Sequence, residues 1–188
     1  AKSHWAFQAV AAADPPPNDV RGWNEHPIDR WIIASQLALG TSRSPPADDR
    51  TLARRLHLDL TGLPPTLKDI AVFSSSANRH EATRELVERL LESPSFGEQF
   101  ARLWLDVARY ADTDSAYRPD TRTPHYFPFA FTYRDYVIEA FNADKPYDEF
   151  LREQLAADLM GFASDDPRRA AIGFLTVGPH ANRAQAES

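Results

Sequence analysis

Asp112, Asp114 and Asp120 follow a segment that carries Trp104, and they occupy the first, third and ninth positions of an EF-hand-like window. Oxygen ligands at that spacing could wrap a hard cation such as Ca2+. The window then breaks. Its sixth position is Tyr117 where the sharp turn needs glycine, and Thr123 stands where a bidentate glutamate would close the shell. Those failures favour a turn-stabilising role for Asp112 and Asp114, through side-chain hydrogen bonds to the backbone and ion pairs with Arg109 or Arg118. The same stretch holds Tyr117, Arg118, His125 and Tyr126. Aromatic faces beside carboxylates and a guanidinium are the equipment of a carbohydrate or small polar ligand site, because rings give stacking area and charges give directional hydrogen bonds. They would equally anchor a long loop.

Other chemistries find less support. With 27 acidic residues, carboxylate pairs for glycoside hydrolysis have many nominal candidates, among them Asp106, Asp112, Glu149, Glu153 and Asp158. Asp106 lies between Arg102 and Arg109 and better suits an ion-pair cluster. The six histidines show no His-x-x-x-His spacing, so a zinc site would depend on tertiary assembly. Absence of cysteine removes thiolate ligands, thiol nucleophiles, disulfides and covalent haem attachment to this chain. There is no glycine-rich phosphate loop and no Gly-x-Ser-x-Gly elbow. No residue can be given a catalytic role, and whether the chain is an enzyme stays open.

These residues are positioned by a series of helix signals. Pro27 opens a segment with Ile28, Trp31, Ile32 and Leu39 on one face, and Gly40 closes it. Asp48 caps a helix carrying Leu52, Leu56 and Leu60, stopped by Gly62 and Pro64-Pro65. Thr66 and Asp69 form a capping box for a short helix burying Leu67, Ile70 and Phe73. From His80 to Glu92 the stripe is Leu86, Val87, Leu90 and Leu91, with Glu85 and Arg89 pairing on the wet side. Ser95 and Glu98 are read as the box of a central helix burying Phe96, Phe100, Leu103, Trp104, Val107 and Ala111. After the irregular stretch from Asp112 to Ala130, Thr132 restarts a helix with Tyr133, Val137, Ala140 and Phe141 inward. Pro146 opens another with Tyr147, Phe150, Leu151, Leu155 and Leu159 on its face, and Asp166-Pro167 begins a last short one. No segment alternates as a strand should.

The predicted fold is therefore all-α: a compact bundle of about seven or eight helices, an extended N-terminal arm and one long aromatic-acidic loop. The arm spans 1–25, with a stiff triple proline at Pro15–Pro17 and aromatics that dock on the body; the helical domain spans 26–178; a flexible tail spans 179–188. A net charge of −6 gives no electrostatic reason to bind nucleic acid. No apolar run approaches the roughly 18 residues that a membrane span needs.

The ordered motifs carry a family resemblance. His4-Trp5-Ala6-Phe7-Gln8, His26-Pro27-Ile28-Asp29-Arg30 and Arg54-Arg55-Leu56-His57-Leu58-Asp59-Leu60-Thr61-Gly62-Leu63-Pro64-Pro65 come first. Trp104-Leu105-Asp106-Val107-Ala108-Arg109-Tyr110-Ala111-Asp112, Tyr133-Arg134-Asp135-Tyr136-Val137-Ile138, Pro146-Tyr147-Asp148 and Gly173-Phe174-Leu175 follow. Together they resemble the planctomycete-type, cytochrome-associated domain of unknown function. The resemblance implies an exported, periplasmic, multidomain bacterial protein with a cytochrome c-like module upstream and another uncharacterised domain downstream. In that family a haem-attachment Cys-x-x-Cys-His lies beyond the Gly-Phe-Leu segment, so haem c would sit on other parts of the full-length protein. This chain resembles the helical N-terminal part. Two departures stand out: Leu103 precedes Trp104 where the family usually has His, and Ser115-Ala116 interrupt the family's Asp-x-Asp-Gly-Tyr. The function this implies is an accessory to a c-type cytochrome module in electron transfer. A polysaccharide- or small-ligand-binding domain using the 112–129 loop, as a binder or a hydrolase, is the second reading, and a structural or interaction domain the third.

Overall fold

The computed structural model describes residues 4–9, 12–17, 26–41, 44–114 and 125–176. Tyr117, Arg118, Asp120 and the 179–188 tail lie outside them. The fold is all-α, and the chain divides into two compact units, Ala1–Ala47 and Asp48–Ser188.

In the first unit a 3-10 turn, Trp5–Phe7, precedes α1, Pro27–Ala38. Proline at the first helical position gives up no needed N–H, and the His26 ring caps the helix by accepting from the Ile28 N–H at 3.2 Å. The apolar face of Ile28, Trp31 and Ile32 is exposed, and no residue of α1 is buried.

The second unit contains α2 (Asp49–Thr61), α3 (Leu67–Ser74), α4 (Arg79–Leu91), α5 (Pro94–Val107), α6 (Ala130–Asn142), α7 (Tyr147–Ala156) and a 3-10 helix, Pro167–Leu175. It has two apolar clusters. Helices α2, α3 and α4 enclose Ala53, Phe73, Ala82, Leu86 and Leu90. Helices α5, α6, α7 and the 3-10 helix enclose Ala101, Tyr133, Tyr136, Val137, Phe150 and their neighbours.

The local signals in the first cluster act as their chemistry requires. Asp48 accepts from the Thr51 N–H at 2.7 Å, and Gly62 takes the left-handed conformation (φ 69°) that ends α2. Thr66 and Asp69 form the reciprocal box. Asp69 does more than cap. It also meets Arg89 of α4 at 3.1 Å and the buried His57 of α2 at 3.9 Å, tying three helices together. The Thr66 hydroxyl is the main reason its carboxyl sits below the usual range.

Several expected details are corrected. Leu67 is exposed rather than buried, while Ile70 is half-buried and Phe73 is buried in the cluster. Glu85 does not hold Arg89, which reaches across to Asp69, while Arg84 bridges Glu81 and Glu88. The cap of α5 is Ser93, not Ser95, because Pro94 occupies the first helical position without losing a hydrogen bond. Helix α5 is not covered on most sides: Leu103 is 50% exposed, Val107 75%, and Ala111 is outside. Its buried face is Gly97, Ala101 and Ala108. Helix α6 begins at Ala130 instead of Thr132.

Small residues let α5 and α6 touch. The Gly97 N–H donates to Asn142 Oδ1 at 2.8 Å, and Asn142 Nδ2 donates back to the Pro94 carbonyl at 3.2 Å. A Cβ at Gly97 would lie 2.5 Å from the Ile138 carbonyl oxygen, so only glycine permits this crossing.

The inward face of α7 is the expected one only at Phe150, which is buried. Tyr147, Leu155 (60%) and Leu159 (82%) are exposed, whereas Glu153 (0%) and Gln154 (1%) are buried beside Phe150 and Ala157. Burial of two polar side chains is tolerable only with partners, and α5 and α6 supply them. Trp104 Nε1 donates to Gln154 Oε1 and to the Tyr133 hydroxyl, each at 3.0 Å; Tyr133 donates to Gln154 Oε1 at 2.7 Å. The Gln154 amide N–H returns to the Phe150 carbonyl at 3.1 Å. Glu153 accepts from the Tyr136 hydroxyl at 2.8 Å and from Lys145.

Candidate functional site

The acidic segment lies between the end of α5 and the start of α6, and both junctions are strained. Arg109 (φ 59°) and Phe129 (φ 66°) are left-handed although neither is glycine. At Arg109 the chain closes α5 by donating the Tyr110 N–H to Leu105 O at 3.0 Å, a glycine-type termination made without glycine. Helix α6 has no side-chain cap.

The base of the segment is a short hairpin, a feature that its lack of alternation did not announce. Thr113–Asp114 (β1) pairs antiparallel with His125–Tyr126 (β2), with Thr113 opposite Tyr126 and Asp114 opposite His125. The Phe127 N–H donates to the Asp112 carbonyl at 3.0 Å. The backbone thus brings Asp112, Asp114, His125 and Tyr126 to one place. Asp112 does not use Arg109. Its carboxylate accepts from Arg134 of α6 at 3.2 and 3.3 Å and from the Tyr110 hydroxyl. Burial and then that carboxylate push the Tyr110 hydroxyl pKa above its usual value. Among the described residues, neither Arg102 nor Arg109 pairs with Asp106, and no three His, Asp or Glu side chains gather as metal ligands.

A cleft of about 300 Å3 opens where the two ends of the segment meet the 3-10 helix. Ala111, Phe127, Phe129 and Thr132 line one side, and Arg169 and Gly173 the other. Arg169 is half-buried and donates to the Phe162 carbonyl at 3.3 Å. Phe127 and Phe129 are exposed. The cleft therefore presents aromatic surface beside one cation. Sequence reasoning placed Phe127 and Phe129 in the loop but missed Arg169, which lies some forty residues onward and carries no motif.

The buried Trp104–Tyr133–Gln154 and Tyr136–Glu153–Lys145 groups were also missed as a unit. Nothing in single-residue patterning announces that a Glu and a Gln on α7 face inward. These groups leave one atom, Glu153 Oε1, without a hydrogen-bond partner.

An all-α domain with a hairpin-based acidic loop and a polar-laced helical core is the class that this geometry defines. The chain belongs to the PSCyt2 family, described as a protein of unknown function (DUF1549), whose model matches residues 27–188. No curated protein and no solved structure matches it. No helix among the described residues is long and apolar enough to cross a membrane.

Proposed function

We propose that this domain is a docking module, an accessory to another module of a longer, exported protein. The observation that carries the reading is the exposed apolar group at the C-terminal end of α7 and in the turn that follows it. Leu155 lies in the last turn of α7, Leu159 and Met160 lie in the turn just beyond it, and all three are exposed. Leu103 and Val107 give α5 a second such pair. Exposed apolar side chains grouped at the end of a helix that spends its buried face on Glu153 and Gln154 mark a surface made to be covered. The resemblance makes a c-type cytochrome module, acting in electron transfer, the partner to test first.

The test uses the longer protein produced with haem maturation. A Soret band is expected, together with retention of this domain on the haem-bearing part after linker cleavage. Leu155→Glu/Leu159→Glu should release it while leaving the helical circular dichroism unchanged. A protein without a Soret band loses the cytochrome partner, and retention by the double variant sinks the docking surface.

The second reading is favoured by the cleft at the base of the 112–129 segment. Phe127 and Phe129 beside Arg169 suit a sugar or small polar ligand, including a polysaccharide unit, with Asp112, Asp114, Tyr117, Arg118, His125 and Tyr126 contributing from the loop. Thermal-shift screening against sugars and divalent cations addresses it. A shift lost in both Arg169→Ala and Asp112→Asn/Asp114→Asn supports the site; a flat screen with folded variants rejects it.

A further inference from the structure

A second recess, of about 250 Å3, lies in the same helical unit, where α5, α6 and α7 converge. Its walls are five aromatic rings: Phe96, Trp104, Phe141, Tyr147 and Phe150. They do not lie parallel. The Trp104 ring meets Phe150 edge-on at 68° with centroids 4.9 Å apart, and Phe141 meets Phe150 at 55° and 5.9 Å. Rings inclined in this way present both faces and edges to a recess that stays open on one side.

The charge at the rim is acidic in effect. Asp144 and Lys145 both border the recess. Lys145 is tied to Glu153 and lies over the Tyr136 ring at 5.1 Å, so its charge is matched inside the fold. Asp144 is exposed and forms no ion pair among the described residues. It is also left-handed (φ 47°), a conformation that aspartate and asparagine tolerate better than other non-glycine residues. Where α6 ends, asparagine or glycine would hold that turn as well. Aspartate there adds only a carboxylate at the mouth of an aromatic box.

We propose that this recess binds an organic cation, a quaternary or methylated ammonium group. Aromatic faces attract such a cation through their quadrupoles, the methyl groups fill the apolar volume that a hydrated ion would not enter, and Asp144 balances the charge. A neutral or anionic guest gains nothing from Asp144, and an ordinary apolar guest makes no use of it. The proposal is independent of the docking surface and of the loop cleft.

Trp104 is the only tryptophan after Ala47, and its indole N–H is fixed by Tyr133 and Gln154, so its resonance reports on the recess. The full chain, 15N-labelled, is titrated with choline and separately with 3,3-dimethylbutan-1-ol, the uncharged isostere. Choline should move the Trp104 indole peak in a saturable way, and the alcohol should bind at least about tenfold more weakly. Asp144→Asn, which keeps a residue tolerant of the left-handed turn, and Tyr147→Ala, at an exposed position, should each weaken choline binding severalfold while leaving the remaining spectrum folded. No response to choline, equal binding of the alcohol, or binding insensitive to both substitutions would overturn the proposal.

Discussion

Replacing Gln154 by methionine tests how the second cluster is held together. The amide oxygen is the acceptor for Trp104 Nε1–H and for the Tyr133 hydroxyl, and the residue is 1% exposed. Methionine keeps nearly the same volume, so the cost is that of the lost hydrogen bonds and not of a cavity. Trp104 retains the Tyr133 oxygen as an acceptor; the Tyr133 O–H is left buried without one. An orphaned buried donor costs about 1–3 kcal/mol, and one further neutral bond adds about 1 kcal/mol. The expected loss is about 2–4 kcal/mol, a large share of the roughly 5–15 kcal/mol of a typical domain. With a urea slope of about 2 kcal/mol per M, the unfolding midpoint falls by about 1–2 M. The assay is urea unfolding followed by tryptophan fluorescence and by far-ultraviolet circular dichroism. Tyr133→Phe in the Gln154→Met background should then cost less than in the wild type, because the donor that it removes is already stranded. A loss below about 0.5 kcal/mol for Gln154→Met, or strict additivity of the two changes, would refute the reasoning.

Three further outcomes follow from the same packing. Gly97→Ala places a methyl group 2.5 Å from the Ile138 carbonyl and should destabilise by about 1–3 kcal/mol, readable as a lowered thermal midpoint; an unchanged midpoint contradicts the α5–α6 crossing. Lys145→Met strands the fully buried Glu153 carboxylate and should cost about 3 kcal/mol, whereas Lys145→Met with Glu153→Leu should recover much of it; a double variant worse than the single one would reverse the argument. The third concerns alkaline pH. Burial pushes the Tyr133 hydroxyl up to about 12, and Tyr110 and Tyr136 are raised further. Unfolded tyrosines ionise near pH ~10, so the folded state loses nothing below that and loses stability as pH rises through the raised folded values. Absorbance at 295 nm should show these three ionising only together with cooperative loss of helicity. All six tyrosines titrating near pH ~10 in a folded chain would contradict it.

What the sequence disclosed divides along physical lines. Asp48, the Thr66–Asp69 box and Gly62 were legible because a cap acts on the backbone two or three residues away, within the reach of a local pattern. The face of α7 was legible at Phe150 but not beyond it, because the pattern rule follows apolar type and also selected Leu155 and Leu159. The fold instead buries Glu153 and Gln154, whose partners Tyr136, Trp104 and Tyr133 come from other helices. Of the two guanidiniums offered for Asp112, Arg118 lies outside the described residues and Arg109 fails for the same reason. Arg109 was near in sequence, but it leaves the helix at positive φ, and Arg134, a turn into α6, is the guanidinium that arrives. The loop's position between two helices was visible; the hairpin at its base was not, since strands of two residues are too short to alternate.

The docking surface is tested most directly by photocrosslinking from position 155. A benzophenone side chain replaces Leu155 in the longer protein, and its crosslinked peptides are mapped after irradiation. A surface built to be covered predicts a few defined crosslinks to one segment outside this domain, and their loss when Leu159→Glu is added. A side chain that captures only solvent, or scattered peptides insensitive to Leu159→Glu, would contradict the central claim.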